Sequence, residues 1–199
     1  MDFIKRYLAE SKEVIDGIDQ SSVFQVIQLL SALKKRKGRL FILGVGGSAA
    51  NASHAVNDFR KIVGIEAYAP TDNVSELTAR TNDEGWHTVF SEWLKVSQLN
   101  NNDMILIFSV GGGNSEKNVS PNLVSAIDYA KTVGAKIAGI VSRDGGYTKK
   151  MADVCVLIPV ISVENTTPHA EGFQAIIWHL FVSHPLLKST PTKWETMRT

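Results

Sequence analysis

The run Arg39-Leu40-Phe41-Ile42-Leu43-Gly44-Val45-Gly46-Gly47-Ser48 decides the fold class: an apolar strand breaks into a Gly/Ser turn and gives way to a helical pattern. The same sequence of events recurs where Met104-Ile105-Leu106-Ile107-Phe108 enters Ser109-Val110-Gly111-Gly112-Gly113-Asn114-Ser115. Strands that are apolar at nearly every position are those with helices on both sheet faces. Working outward, the patterning predicts strands over 39–43, 66–69, 104–108, 136–141 and 154–158. It predicts helices over 47–62, 74–81, 88–99 and 118–132, a short one after Gly146, and a last one from about Pro168 to Val182. This alternation specifies an α/β fold, a three-layer αβα sandwich on a parallel sheet with right-handed crossovers. Ligands of such sheets bind beyond the strand C-termini, where both glycine turns fall.

Two further helices precede the first strand. Phe3, Ile4, Tyr7 and Leu8, then Val14, Ile15 and Ile18, recur at helical spacing. Ser21 or Ser22 is the expected cap of the second, which carries Val23, Val26, Ile27, Leu30 and Leu33. Their apolar faces serve either a subunit interface or packing on their own sheet, and the pattern does not choose. The Lys34-Lys35-Arg36-Lys37 run reads as the cationic last turn of that helix, opposing its dipole. The polar end from Lys188 to Thr199 is expected to be loosely held.

The chain has 199 residues, enough for one domain with a full core, and reads as a single domain over 1–199. With 44% hydrophobic and 21% charged residues and a net charge of +1, there is no basis for a nucleic-acid stripe or a polybasic membrane anchor. Cys155, alone in an apolar strand, excludes an internal disulfide and reads as a core residue of a reducing compartment. With no secretory pattern near Met1 and no apolar run of membrane-spanning length, the expectation is a cytoplasmic protein.

The glycine turns suit a phosphate. Gly46 and Gly47 permit close backbone approach, and Ser48 adds a hydroxyl at the start of a helix. Ser109, Ser115 and the amides around Gly111 do the same in the second turn, and Arg143-Asp144-Gly145-Gly146 forms a third turn on the same edge. Neither main turn is a nucleotide P-loop or a dinucleotide fingerprint. A second constellation joins the helix after the first turn to the last helix. His54 and Asp58 share a face at i,i+4, and Glu171 and His179 are eight apart on an apolar helix. Two imidazoles and two carboxylates meeting at one place suit zinc or general acid–base work. His169 and Gln174 are candidate extra members, and His87 and His184 read as incidental.

These segments carry a family resemblance. Leu43-Gly44-Val45-Gly46-Gly47-Ser48-Ala49-Ala50-Asn51-Ala52-Ser53-His54 resembles the G-N-G-G-S-A-x-x-A-x-H motif of phosphoheptose isomerases, in the sugar isomerase (SIS) domain superfamily. Thr81-Asn82-Asp83-Glu84-Gly85-Trp86 resembles their A-N-D-x-G-F segment. Ser109 to Val119 resembles their S-T-S-G-N-S-x-N-V phosphate loop, and Arg143 to Gly146 their G-R-D-G-G turn. The resemblance implies five parallel strands, a homotetramer with sites built between subunits, and isomerisation of sedoheptulose 7-phosphate to D-glycero-D-manno-heptose 7-phosphate. It implies zinc on His54, Asp58, Glu171 and His179, with Asp58 and His179 as the acid–base pair and Glu171 as reserve base. It places substrate on Gly46, Gly47, Ser48, Asn82, Asp83, Ser109, Gly111, Asn114 and Ser115. Asp58 stands where the family has Glu, Glu171 where it has Gln, Val45 where it has Asn, and Gly111 where it has a phosphate-binding Ser. Pro168-His169 replaces the usual Asp-Arg, and the phosphate loop is one residue longer. A non-catalytic SIS module that binds a sugar phosphate or scaffolds other proteins, and an isomerase of another phosphosugar, are the alternatives.

Overall fold

A computed structural model describes residues 1–197. The helices are α1 (Asp2–Gly17), α2 (Gln20–Lys35), α3 (Gly47–Asp58), α4 (Val74–Asp83), α5 (Val89–Val96), α6 (Pro121–Thr132), α7 (Gly146–Met151), α8 (Thr166–Ser183) and α9 (Lys193–Thr196). The strands are β1 (Leu40–Gly44), β2 (Ala67–Tyr68), β3 (Met104–Phe108), β4 (Lys136–Ser142) and β5 (Val154–Ile158). All five pair in parallel in the order β2-β1-β3-β4-β5.

Residues of each central strand alternate between two cores. Leu40, Ile42, Met104, Leu106, Phe108, Ala138 and Ile140 join α2, α3 and α8 on one face. Phe41, Leu43, Ile105, Ile107 and Ile137 join α5 and α6 on the other. With both faces covered, every residue of β1 and β3 is buried, which is why those runs lack polar alternation. The three layers of the expected sandwich are therefore present, with α1 and α2 added to one of them.

Several local details differ from expectation. The cap of α2 is Asp19, whose carboxylate accepts from the amides of Ser21 and Ser22; the serines supply the amides that are capped. The helix expected over 47–62 is α-helical to Asp58 and then widens into a π-helical turn, Phe59–Val63, closed by Gly64 in the left-handed region at φ 76°. α6 begins at Pro121 rather than 118, because Asn114 and Val119 pair as an antiparallel bridge and fold 115–118 into a tight hairpin. The end expected to be loose from Lys188 is tied at its start. Ser189 and Thr190 donate backbone N–H bonds to the Ile62 carbonyl, and Lys34 Nζ donates to the Leu187 carbonyl. Arg198 and Thr199 lie outside the described residues.

α1 is attached unusually. Only Glu10 and Val14 of its residues are buried, while Phe3, Ile4, Leu8 and Ile15 are exposed. Glu10 Oε2 accepts from Asn165 Nδ2 at 2.7 Å and Ser162 Oγ at 3.0 Å, and lies 3.0 Å from His169 Nε2. Tyr7 stacks on the His169 ring at 4.4 Å. The Asn165 amide, then the His169 imidazole, holds the Glu10 carboxyl below its ordinary range. His169 is therefore occupied in docking α1, not in the His54 constellation.

Candidate active site

The strand order reverses its winding between β1 and β3, so the crevice at their carboxyl ends is a topological switch point. The first glycine turn leaves β1 there and the second leaves β3. α3 starts from the first turn and lies alongside α8. The Glu171 carboxylate covers Gly47 so closely that a Cβ there would sit 2.6 Å from its Cδ. One turn on, Asn51 Nδ2 donates to the Glu171 carbonyl at 2.9 Å and to Gln174 Oε1 at 3.1 Å. Further along, the His54 ring meets Trp178 edge-on at 4.7 Å and His179 at 5.3 Å. Asp58 Oδ2 then lies 4.0 Å from His54 Nε2 and 3.8 Å from His179 Nε2. Contacts advance together along both helices, so α3 and α8 run in the same direction.

Among the described residues, His54, Asp58 and His179 bring one ligand atom each within 4.8 Å of one another. Asp58 is half-buried, and its Oδ1 accepts from Asn57 Nδ2, leaving Oδ2 to the imidazoles. His179 Nδ1 lies 2.7 Å from the Ala175 carbonyl. That carbonyl can only accept, so Nδ1 carries a hydrogen and Nε2 is the nitrogen that faces Asp58. Two imidazole nitrogens and a carboxylate oxygen match a three-ligand catalytic zinc site. Glu171 is not part of this cluster. At about 1.5 Å of rise per residue it stands about 12 Å up α8 from His179. Helical side chains also lean toward their N-terminus, which carries its carboxylate to Gly47 rather than down to the imidazoles.

The two turns are built differently. In the first, Gly46 has φ 63° with open space around it, Val45 and Gly46 are exposed, and α3 has no side-chain cap at its N-terminus. In the second, Ser109 Oγ accepts from the Gly112 amide at 3.0 Å. The Gly112 carbonyl accepts from both Thr148 N and Thr148 Oγ1, and the Gly113 carbonyl from Tyr147 N. A Cβ on Gly112 would collide with the Gly145 carbonyl, and one on Gly146 with the carbonyls of Gly111 and Gly113. The Arg143–Gly146 turn thus braces the second loop from behind, with α7 amides donating to the loop.

The remaining expected site residues divide as follows. Gly46, Gly47 and Ser48 line the first turn; Ser109 and Gly111 lie in the braced loop. Asn114 shapes the hairpin, its Oδ1 accepting from Lys117 N, and Ser115 is exposed at the hairpin's start. Asn82 and Asp83 end α4, a helix with no buried residue, and bond to each other at 2.7 Å. His87 lies against Gly85, and His184 near Phe24, away from the cluster. Sequence reasoning did not find Asn51 and Trp178. Asn51 lies three residues before His54, on the same face of α3, which is the signal that marks it. Trp178 is hidden in an apolar run.

Residues 6–142 match the SIS domain. Phosphoheptose isomerase from Syntrophotalea carbinolica is 30% identical over 188 residues, covering 89% of each chain. Lincomycin biosynthesis protein LmbN from Streptomyces lincolnensis is 30% identical over 91% of this chain and 68% of its own. In fold, the chain is similar to phosphoheptose isomerase GmhA from Neisseria gonorrhoeae, with a TM-score of 0.79 at 24% identity over 91% of this chain and 95% of that one. The glycine turns at the switch point, the helix pair beside them and these likenesses agree: the chain belongs to the phosphoheptose isomerase family of SIS-domain proteins.

Proposed function

We propose that this chain is a sugar-phosphate isomerase that converts sedoheptulose 7-phosphate to D-glycero-D-manno-heptose 7-phosphate. The observation that carries the reading is the meeting of His54 and Asp58, on the helix that leaves the switch-point crevice, with His179 on α8 packed alongside it. Relatives at 30% identity named phosphoheptose isomerase support the substrate. The single domain of the reading spans 1–199, with the ester group held by the braced loop around Ser109–Ser115 and the sugar along Gly46–Ser48 and Asn82–Asp83.

In this reading Asp58 removes a proton from C1 of the ketose and returns it to C2, through a cis-enediolate. His179 carries the proton from the C1 hydroxyl to the C2 oxygen, so the exchange balances within the substrate. Because Nδ1 is engaged by the Ala175 carbonyl, Nε2 is the nitrogen that faces the site: it carries the proton in the metal-free site and is a ligand atom when a metal is held. Zinc, held by His54, Asp58 and His179, would polarise the C1 and C2 oxygens as a Lewis acid. Asp58→Asn is expected to cut turnover by about 10²–10⁴-fold, the usual contribution of a positioned base, with the melting temperature little changed. Incubation with ketose phosphates in deuterated water tests the whole assignment. Deuterium at C2 of a heptose 7-phosphate is expected, and its absence with every sugar tried would overturn it.

The reading includes a homotetramer working in the cytoplasm. The exposed apolar residues Phe3, Ile4 and Leu8 of α1 support assembly through the N-terminal helices. The groove of about 360 Å³ lined by Ile15, Phe24, Ile176 and Leu180 supports the same surface. Burial pushes the Cys155 thiol up to about 12, which supports its reading as a core residue rather than a nucleophile. No described helix is long and apolar enough to cross a membrane. Light scattering on the purified protein checks the tetramer.

A further inference from the structure

We infer that Trp178 is the positioning residue of the metal cluster, a shared indole wall that fixes both imidazoles before any metal arrives; this rests on the reading of His54, Asp58 and His179 as metal ligands. The His179 ring lies flat on the indole, with centroids 3.5 Å apart and planes inclined by 28°. The His54 ring stands edge-on to the same indole at 4.7 Å. The two imidazoles meet each other at 86°, and the side chains of both are about half exposed. Without a wall, two half-exposed rings would sample several rotamers, and ordering them would weaken metal binding. The Ala175 carbonyl fixes one nitrogen of His179, but His54 has no hydrogen bond of its own among the described residues. Its one close ring neighbour besides His179 is Trp178.

The indole is also an odd choice for packing alone. Trp178 is wholly buried in the core between the sheet and α8, yet its Nε1 has no partner among the described residues. An unpaired buried donor is destabilising, a penalty that Phe or Leu would avoid. What the indole provides over an aliphatic chain is a flat face for one imidazole and a ring for the other. Gln174, one turn earlier on the same face of α8, accepts from Asn51 through its Oε1 and has no ring to offer either imidazole.

Cobalt(II), a visible-absorbing substitute for zinc, tests this by direct titration, beside steady-state kinetics on the zinc-loaded protein. Support near a metal ligand usually contributes about 10–100-fold in metal affinity. Trp178→Leu is therefore expected to weaken cobalt binding at least about tenfold and to lower kcat, with KM for the sugar phosphate within about threefold of wild type. Trp178→Phe, which keeps a flat ring, is expected to restore most of both. Where Trp178→Leu does not fold, fluorine NMR of wild-type protein containing 5-fluorotryptophan gives the answer. The resonance missing from Trp178→Phe is expected to shift on zinc addition. Equal cobalt affinity in folded wild type and Trp178→Leu, or a Trp178 resonance blind to zinc, would overturn the wall alone. Failure of wild type to bind cobalt at all would overturn the ligand reading and the wall with it.

Discussion

The glycine turn after β1 and the glycine turn after β3 look alike in sequence and are held by opposite means. The first is open: Gly46 has nothing near it, and what crowds Gly47 is the flexible end of Glu171. The second is clamped backbone to backbone, its carbonyls received by α7 and its Gly112 pressed on Gly145. A glycine next to a movable side chain makes room for function. A glycine next to a carbonyl belongs to the scaffold. The crevice therefore has one compliant wall and one rigid wall, and the rigid wall is the one to which we assign the ester group.

That contrast can be broken at several points. Gly112→Ala combines a Cβ–carbonyl collision with a φ of 72°, and is expected to lose about 2–4 kcal/mol of stability. Chemical denaturation measures it, and an unchanged midpoint would show that the second loop is as compliant as the first. Thr148→Val removes one of the two bonds to the Gly112 carbonyl and is expected to cost about 0.5–1.5 kcal/mol in the same measurement. Gly47→Ala meets only a side chain that can swing away, so its stability change is expected within about 0.5 kcal/mol. Its effect belongs in kinetics, as a raised KM from a displaced Glu171. A large loss of stability instead would make the first turn a scaffold too.

Much of this was legible in the chain. β3 lies where its unbroken apolar run places it, because a strand buried on both faces leaves no other pattern; β5, at the sheet edge and only partly buried, carries the same kind of run. The pairing of His54 with Asp58 follows from helix geometry alone. Glu171 was harder. Spacing by eight puts it on the correct face of α8, but neither rise along the axis nor side-chain lean is visible in a count of residues. The role of Arg143–Gly146 was hidden for another reason: glycines that brace a loop and glycines that receive a ligand read identically, and only the neighbouring backbone tells them apart. The start of α6 was misplaced because the Asn114–Val119 bridge is a contact between residues that carry no strand signal.

The knot at Glu10 has a consequence for the amino-terminal arm. One ionised carboxylate, with Arg6 3.9 Å from its second oxygen and His169 on its first, is the polar mooring of a sixteen-residue helix that otherwise buries only Val14. Its folded pKa is depressed, so the mooring is at full strength above the ordinary value of 4.5 and fades as acidity carries the pH down through the lowered one. Amide exchange during mild acidification should therefore find the arm casting off from α8 while the sheet beneath it stays shut, and Glu10→Gln should show the same early release at neutral pH. An arm that instead held until the sheet opened would mean that Val14 and the neighbouring helix, rather than the carboxylate, are its anchor.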